Sequence, residues 1–322
     1  MVYCIGHSII SPLGIGSQAN VEAVQAGRSG LKIHTHRFED VEPFCASLFD
    51  EPQQFVPLCE RSIQLSALSI QHAEQLLRSA ETIFILSTTK GDNLDLIRPA
   101  QEIARAFGNP NPPIVVSNAC TSGVCAQITA MRLLENGKYQ HAVVVGCDIQ
   151  TKFIVSGFQA FKALSSEPCL PFSPDRKGLN LGEAAATIIY SCQPSAISHQ
   201  TLWELEAGSF HNDANHISAP SRTGEGSYRC LMDVMNGLQP EDIALVGVHG
   251  TATPYNDAME TIALERAGLQ ERPRSVLKPF FGHTMGAAGV VETIICALSA
   301  KGTIIKMLSG FGGVNAAIKL KV

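Results

Sequence analysis

Cys120, His249, Lys278 and His283 are the residues of this chain whose types and settings could carry nucleophilic acyl chemistry. Cys120 follows an apolar, β-rich run, Pro113 to Val116, and the link Ser117-Asn118-Ala119. Beyond it, Val124, Ile128, Met131 and Leu134 recur at spacings of four, three and three, an apolar helical stripe that Asn136-Gly137 ends. The spacing predicts that Cys120 sits in a strand-to-helix turn. The first N–H groups of a helix lack intrahelical partners and, with the helix dipole, favour negative charge. A thiol there is expected to ionise more easily, and the Cys120 N–H to supply half of an oxyanion hole. Small neighbours, Ala119, Ser122 and Gly123, would let a substrate carbonyl approach, as at a nucleophile elbow.

A single cysteine is most simply a small buried hydrophobe, and the chain has ten. Cys125, one turn on, reads that way. Company sets Cys120 apart. In VGVHGTATPYND, His249 stands at the exit of a predicted strand, Ile243 to Val248, and in SVLKPFFGHTMGAAG a second exit carries Lys278 and His283. Alone, either histidine would be a satisfied structural residue and the lysine a surface one. In so apolar a segment Lys278 needs a partner, and Asp257 or Glu260 are the nearest carboxylates in sequence. One thiol, two imidazoles and one ammonium at strand exits form a set far less accidental than any member.

The elements that must position these groups alternate along the chain. In the first half, Val2 to Ile10, Thr82 to Leu86, Ile114 to Val116, His141 to Gly146 and Ala184 to Tyr190 read as five strands, with helices between them. In the second half, Thr201 to Ala207, Ile243 to Val248, Arg274 to Leu277, Thr303 to Leu308 and Ala316 to Val322 make five more. All-apolar strands joined by helices imply sheets covered on both faces. No residue-level repeat is visible, so the duplication rests on element order. Domains of 1–193, with Cys120, and 194–322, with His249, Lys278 and His283, are expected. Leu31 to Leu58 shows no period and reads as irregular. Ile63 to Ser79 and Leu94 to Phe107 read as single helices, and the stretch carrying Phe153, Phe158 and Phe161 as a loop.

With 322 residues, 45% hydrophobic and 16% charged, the chain can bury a large core. A net charge of -5 gives no reason to expect nucleic acid or an anionic membrane surface as partner. The apolar runs are too short to span a bilayer, no secretory leader is visible, and no C-x-x-C pair suggests a metal or disulfide framework. The chain therefore reads as cytoplasmic and without a metal framework.

NACTSG around Cys120, PFSPDRKGLNLGEAAA from Pro171, HGTATPYND from His249, SVLKPFFGHTMGAAG and SGFGGVNAAI together resemble, in family order, the β-ketoacyl-acyl carrier protein synthases of the thiolase superfamily. The resemblance implies an α/β, thiolase-like duplicated fold with two five-stranded mixed sheets in α-β-α-β-α layers. It implies a decarboxylating Claisen condensation with acyl and malonyl groups on acyl carrier protein. By resemblance Cys120 takes the acyl chain, His249 and His283 serve decarboxylation and the enolate, and Lys278, paired with Glu260 and supported by Asp257, holds the electrostatics. Phe311 is implied as a gate whose N–H joins that of Cys120, while Thr251, Thr253, Gly312 and Gly313 line the substrate site. Two neutral N–H donors can stabilise an enolate without a metal, so the resemblance implies no cofactor.

The sequence departs from the family before the cysteine, where Ser117-Asn118-Ala119 replaces the usual Asp-Thr-Ala, and in the short segments Ser87 to Ser117 and Leu31 to Arg61. In the family the former helps to cover the dimer contact and shape the acyl tunnel. A homodimer, or a heterodimer with a homologous synthase or chain-length factor, is therefore expected. A non-catalytic chain-length partner and a superfamily acyltransferase without condensation are the competing readings. Cys120 speaks against the first, since such partners typically lose the nucleophile. The histidines and lysine speak against the second.

Overall fold

The computed structural model describes residues 1–193 and 202–322, and the boundary expected after residue 193, with the start of the strand expected at Thr201, falls at residues outside these. The first half contributes β1 (Val2–Ser11), β5 (Thr82–Ser87), β6 (Ile114–Val116), β7 (His141–Asp148) and β9 (Ala184–Ser191). The second contributes β10 (Trp203–Asn212), β11 (Ile243–Gly247), β12 (Arg274–Ser275), β13 (Thr303–Gly310) and β14 (Val314–Lys321). Every strand expected from an apolar run is present.

In space the first set runs β6-β5-β7-β9-β1 and the second β12-β11-β13-β14-β10. Counted within each half, both orders are third, second, fourth, fifth, first. The pairings match as well: β6, β5 and β7 are mutually parallel, as are β12, β11 and β13, and the last two strands of each set pair antiparallel. The duplication inferred from element order is thus a duplication of topology.

The two five-stranded sets are not separate sheets. They join edge to edge where β1 and β10 pair over Val2–Leu205, Tyr3–Glu204 and Cys4–Trp203, and with the short β2 (Gly14–Ile15) they form one sheet of eleven strands. The junction is only three residue pairs long, because the two antiparallel strands overlap only at their first residues and then run on beside their own neighbours. The layered α/β arrangement is kept. Helices α5 (Ser122–Glu135) and α10 (Ala288–Ser299) fill the middle: α5 packs on β5 and β7 of one half and on β10 and β14 of the other, and α10 on β7, β9, β11 and β13. Outside lie α2 (Phe55–Ala67) on β1, β7 and β9, and α7 (Glu225–Met235) on β10, β13 and β14, with α8 (Pro254–Arg266) against α7. A helix covered on both faces must be apolar all round, and ten of the twelve residues of α10 are buried.

The middle helices cross at two glycines. A Cβ on Gly123 would stand 2.8 Å from the Gly289 Cα, and one on Gly289 2.4 Å from the Val124 nitrogen, so only glycine permits this approach. Gln127 ties the crossing: its Nε2 donates to the carbonyls of Gly123 and Gly289, both at 3.0 Å, and its Oε1 accepts from the Tyr190 hydroxyl.

Leu31 to Leu58 is not irregular. Strands β3 (Lys32–His34) and β4 (Phe44–Ser47) pair antiparallel, and β4 pairs parallel with β8 (Leu181–Gly182), a small sheet held by a distant partner that no local period could reveal. The helix expected over Ile63 to Ser79 is broken, since His72 adopts a left-handed conformation (φ 57°) between α2 and α3 (Ala73–Arg78). The expected Phe-bearing loop contains α6 (Lys152–Ala160), started by Thr151, whose side chain accepts from the Ile154 N–H. Helix α4 (Ile97–Ala106) sits where Leu94 to Phe107 placed one. Among the described residues no helix is long and apolar enough to cross a membrane.

Candidate active site

Cys120 stands four residues after β6 and two before α5, the strand-to-helix turn that the spacing predicts. Ala119 is left-handed (φ 47°), which turns the chain sharply enough to aim the thiol inward. The elbow is fastened locally: the Asn118 N–H donates to the Ser122 Oγ at 2.7 Å, and the Cys125 N–H to the Thr121 carbonyl at 2.9 Å.

His249 lies two residues beyond β11. Lys278 opens the one-turn helix α9 (Lys278–Phe281) beyond β12, and His283 follows it. The sulfur of Cys120 and one ring nitrogen each of His249 and His283 all lie within 4.8 Å of one another. The imidazoles meet edge to face, centroids 5.2 Å apart. The Met285 N–H donates to His283 Nδ1 at 3.2 Å, which places that ring's own proton on Nε2, and Nε2 has no protein partner. Complete burial, then the ammonium of Lys278, hold both imidazoles well below the usual histidine range, so both are neutral near pH 7.

The thiol departs from expectation. Burial pushes Cys120 up to about 11, against the pull of Lys278 and of the backbone N–H groups of Cys120 and Phe311, while the Asp148 carboxylate pushes the same way as burial. A helix N-terminus lowers a thiol only where water still helps to solvate the thiolate. Here desolvation wins.

The partner of Lys278 is neither Glu260 nor Asp257 but Glu292 of α10: Lys278 Nζ lies 2.5 Å from Glu292 Oε1 and donates to the His249 carbonyl at 3.1 Å. Lys306, at the centre of β13, takes the other oxygen at 2.7 Å. Burial alone would raise the Glu292 carboxyl, but the two ammonium groups bring it below its usual range. Glu260 instead accepts from the N–H groups of His249 and of Gly250, the latter at 2.8 Å, and burial raises it to about 7. Asp257 accepts from the N–H groups of Thr251, Ala252 and Phe172, which folds the loop after His249 onto the start of α8.

Asp148, at the end of β7, links the halves from the other side. It accepts from Gly286 N–H at 2.7 Å, from the Thr88 hydroxyl at 2.8 Å and from Thr89 N–H at 2.9 Å. Phe311 occupies the turn between β13 and β14, stacked on Phe158 (5.9 Å) and edge-on to Phe161 (6.1 Å). Gly312 and Gly313 have φ of 86° and 71°, conformations that favour glycine. One cavity of about 440 Å³ is lined by Cys120, both histidines, Thr251, Thr253, Phe311 and Gly313 among others, whereas Gly312, expected at the substrate site, is not part of its lining, nor are Lys278, Glu260 and Asp257. The Thr251 and Thr253 hydroxyls bond each other at 2.9 Å. The structure therefore brings together Cys120, His249 and His283, which the sequence singled out, and sets Glu292, Lys306 and Asp148 beside them, which it did not; a lone charge inside an apolar helix or strand, as in VVETIIC and TIIKML, was the available signal.

Residues 68–191 match the model of the β-ketoacyl synthase N-terminal domain, and residues 204–311 that of its C-terminal domain. The chain belongs to the β-ketoacyl synthase family. Within it, this synthase-family chain is 29% identical over 213 residues to 3-oxoacyl-[acyl-carrier-protein] synthase 2 of Staphylococcus aureus, a match covering 62% of this chain and 53% of the relative. It is 31% identical over 214 residues to nodulation protein E of Rhizobium meliloti, covering 64% and 53%. The chain thus spans about half the length of these curated relatives. In fold it is similar to a chain of the ketosynthase (ApeO) complex with its chain length factor (ApeC) from Xenorhabdus doucetiae, with a TM-score of 0.87, 24% identity, and coverage of 100% of this chain and 98% of that one. A β-ketoacyl synthase from Burkholderia phymatum gives 0.89 at 19% identity, covering 99% and 98%.

Proposed function

We propose that this chain is a β-ketoacyl-acyl carrier protein synthase, condensing an acyl thioester on Cys120 with malonyl-acyl carrier protein in fatty acid, polyketide or aryl-polyene type biosynthesis. The observation that carries this reading is one thiol facing two buried neutral imidazoles, beside the N–H groups of Cys120 and Phe311, in one cavity. The Cys120 sulfur displaces the carrier's thiol from the acyl thioester, the Cys120 proton ending on that departing thiol, and the two N–H groups hold the oxyanion of the transfer. His283, with its proton on Nε2, and His249 then donate to the thioester oxygen of the malonyl group as carbon dioxide leaves. The resulting enolate attacks the Cys120 thioester and expels the Cys120 thiolate, which takes up a proton to return to the thiol. Neutral imidazoles suit this step, since their N–H groups stabilise the enolate oxygen by hydrogen bonding without being acidic enough to protonate the enolate. Thr251 and Thr253 face the incoming malonyl-pantetheine arm, and Phe311 acts as the gate.

For a partner, the half-buried edge strand β6 and the exposed Leu94 and Ile97 beside the short Ser87 to Ser117 segment support a dimer that completes the acyl tunnel. It is a homodimer or pairs with a homologous synthase or chain-length factor; a stable, active monomer in light scattering at micromolar concentration would exclude both. Incubation with a panel of acylated carrier proteins, followed by mass spectrometry, tests the function. An acyl adduct on Cys120 that malonyl-carrier protein converts to a β-ketoacyl product supports condensation; an adduct without product leaves an acyltransferase, and no adduct leaves a non-catalytic partner.

A further inference from the structure

Lys306 has no place in the chemistry so far. It lies at the centre of β13, fully buried, and its stem crosses to β11, where Gly247 makes the room: a Cβ there would meet the Lys306 Cδ at 2.8 Å. Its ammonium donates to the carbonyls of Gly247 (3.1 Å) and Val248 (2.9 Å) and sits 2.7 Å from Glu292 Oε2. Lys278 takes the next carbonyl, that of His249, and the other oxygen of Glu292. Three successive carbonyls at the exit of β11 are thus held by two lysines, and the two N–H groups that follow the Val248 carbonyl, those of His249 and Gly250, by Glu260.

We infer that Lys306 is a positioning residue, which fixes the backbone that delivers His249 and gives the Lys278–Glu292 pair a net positive charge facing the two histidines. The inference rests on the condensing function proposed above. A Lys278–Glu292 pair alone would already be neutral, and a buried second ammonium costs desolvation that an apolar side chain would avoid. The charge is therefore the part that needs a function. The other groups around the cluster are His283, Cys120, Glu260 and Asp257 of α8, and Cys296 of α10. Lys306 acts on both imidazoles in the same direction as Lys278, disfavouring their protonation.

The test compares Lys306→Gln, which keeps a donor without charge, with Lys306→Arg, which keeps the charge; Lys306→Met removes both. NMR titration of labelled imidazoles reads the electrostatics independently of turnover. In Lys306→Gln the titrations of His249 and His283 are expected to move up by about one pH unit. With that charge no longer stabilising the enolate, condensation should fall about tenfold in kcat, with its acid limb moved to higher pH and KM for the carrier protein unchanged. Lys306→Arg should stay within about threefold of the parent. Unchanged imidazole titration in Lys306→Gln, or an equal loss in the Arg variant, would overturn the inference. If the parent forms no condensation product while the imidazole shift is present, the condensing function falls and the electrostatic role of Lys306 stands.

Discussion

The two halves share one topology and put it to opposite electrostatic use. Cys120 follows the third strand of the first half, and Lys278 and His283 follow the third strand of the second. Each exit leads to a middle helix, α5 or α10. In the first half the helix carries no charge toward the site, and its uncharged start offers a thiol and N–H groups. In the second half the corresponding helix brings Glu292 inward to meet two lysines. Duplicated strands thus supply the geometry twice, and under the function proposed above the single charges buried within them separate the copy that would handle the acyl group from the one that would handle the enolate. The lesson is that a repeated framework can separate two chemical tasks without altering its backbone plan.

Removing one half's contribution should stop one step and spare the other. Cys120→Ala is expected to abolish acyl loading, read by mass spectrometry, with Tm changed by no more than about 3 °C, since the side chain contributes little volume. A residual acyl-enzyme would end the division of tasks. His249→Ala and His283→Ala should load normally and lose condensation by about two orders of magnitude or more, measured as β-ketoacyl product under saturating acyl donor.

Glu292→Gln leaves two ammonium groups buried around a neutral amide and is expected to lower stability by about 3–5 kcal/mol in urea titration. Glu260→Gln, which replaces one of the two oxygens that accept from His249 and Gly250 by an NH2 donor, should cost about 1–3 kcal/mol. Equal costs would mean that Glu260 balances the lysines as much as Glu292 does. The smallest effect is in reactivity. Because burial raises the Cys120 thiol from 9.0 to about 11, alkylation by iodoacetamide should keep rising from pH 8 to beyond pH 10, whereas the unfolded chain levels near 9. By linkage, the thiol's contribution to stability is fully present below pH 9 and is lost as pH rises through about 11.

The framework was legible because most of its strands are apolar runs of five or more residues and its helices carry a period; β1, β7, β9 and the stripe of α5 announce themselves, and the short β6 and β12 were read from the turns that follow them. The reactive residues were legible because each stands where such a run ends. Partnership was not. Lys278 finds Glu292, fourteen residues on, rather than Glu260, eighteen residues before it, because the carboxylate of α10 faces the lysine while that of α8 turns to the backbone of His249. The short strands β3 and β4 depend on Leu181 and Gly182, more than a hundred residues away, and three or four residues hold too little pattern to show it. The acidity of Cys120 was misjudged because a sequence shows the helix start but not the depth of burial.

The crossing of Gly123 on Gly289 places backbone against backbone three residues from Cys120 and six from His283. With no side chain between them, the two helices share a pivot rather than a cushion. A sliding or rocking of one half against the other must turn about this point, and the thiol and imidazole, so close to it, sit on very short levers. Motion that reached several ångströms at the far ends of α5 and α10 would thus be geared down near Cys120 and His283, so the distance between sulfur and imidazole would stay nearly constant.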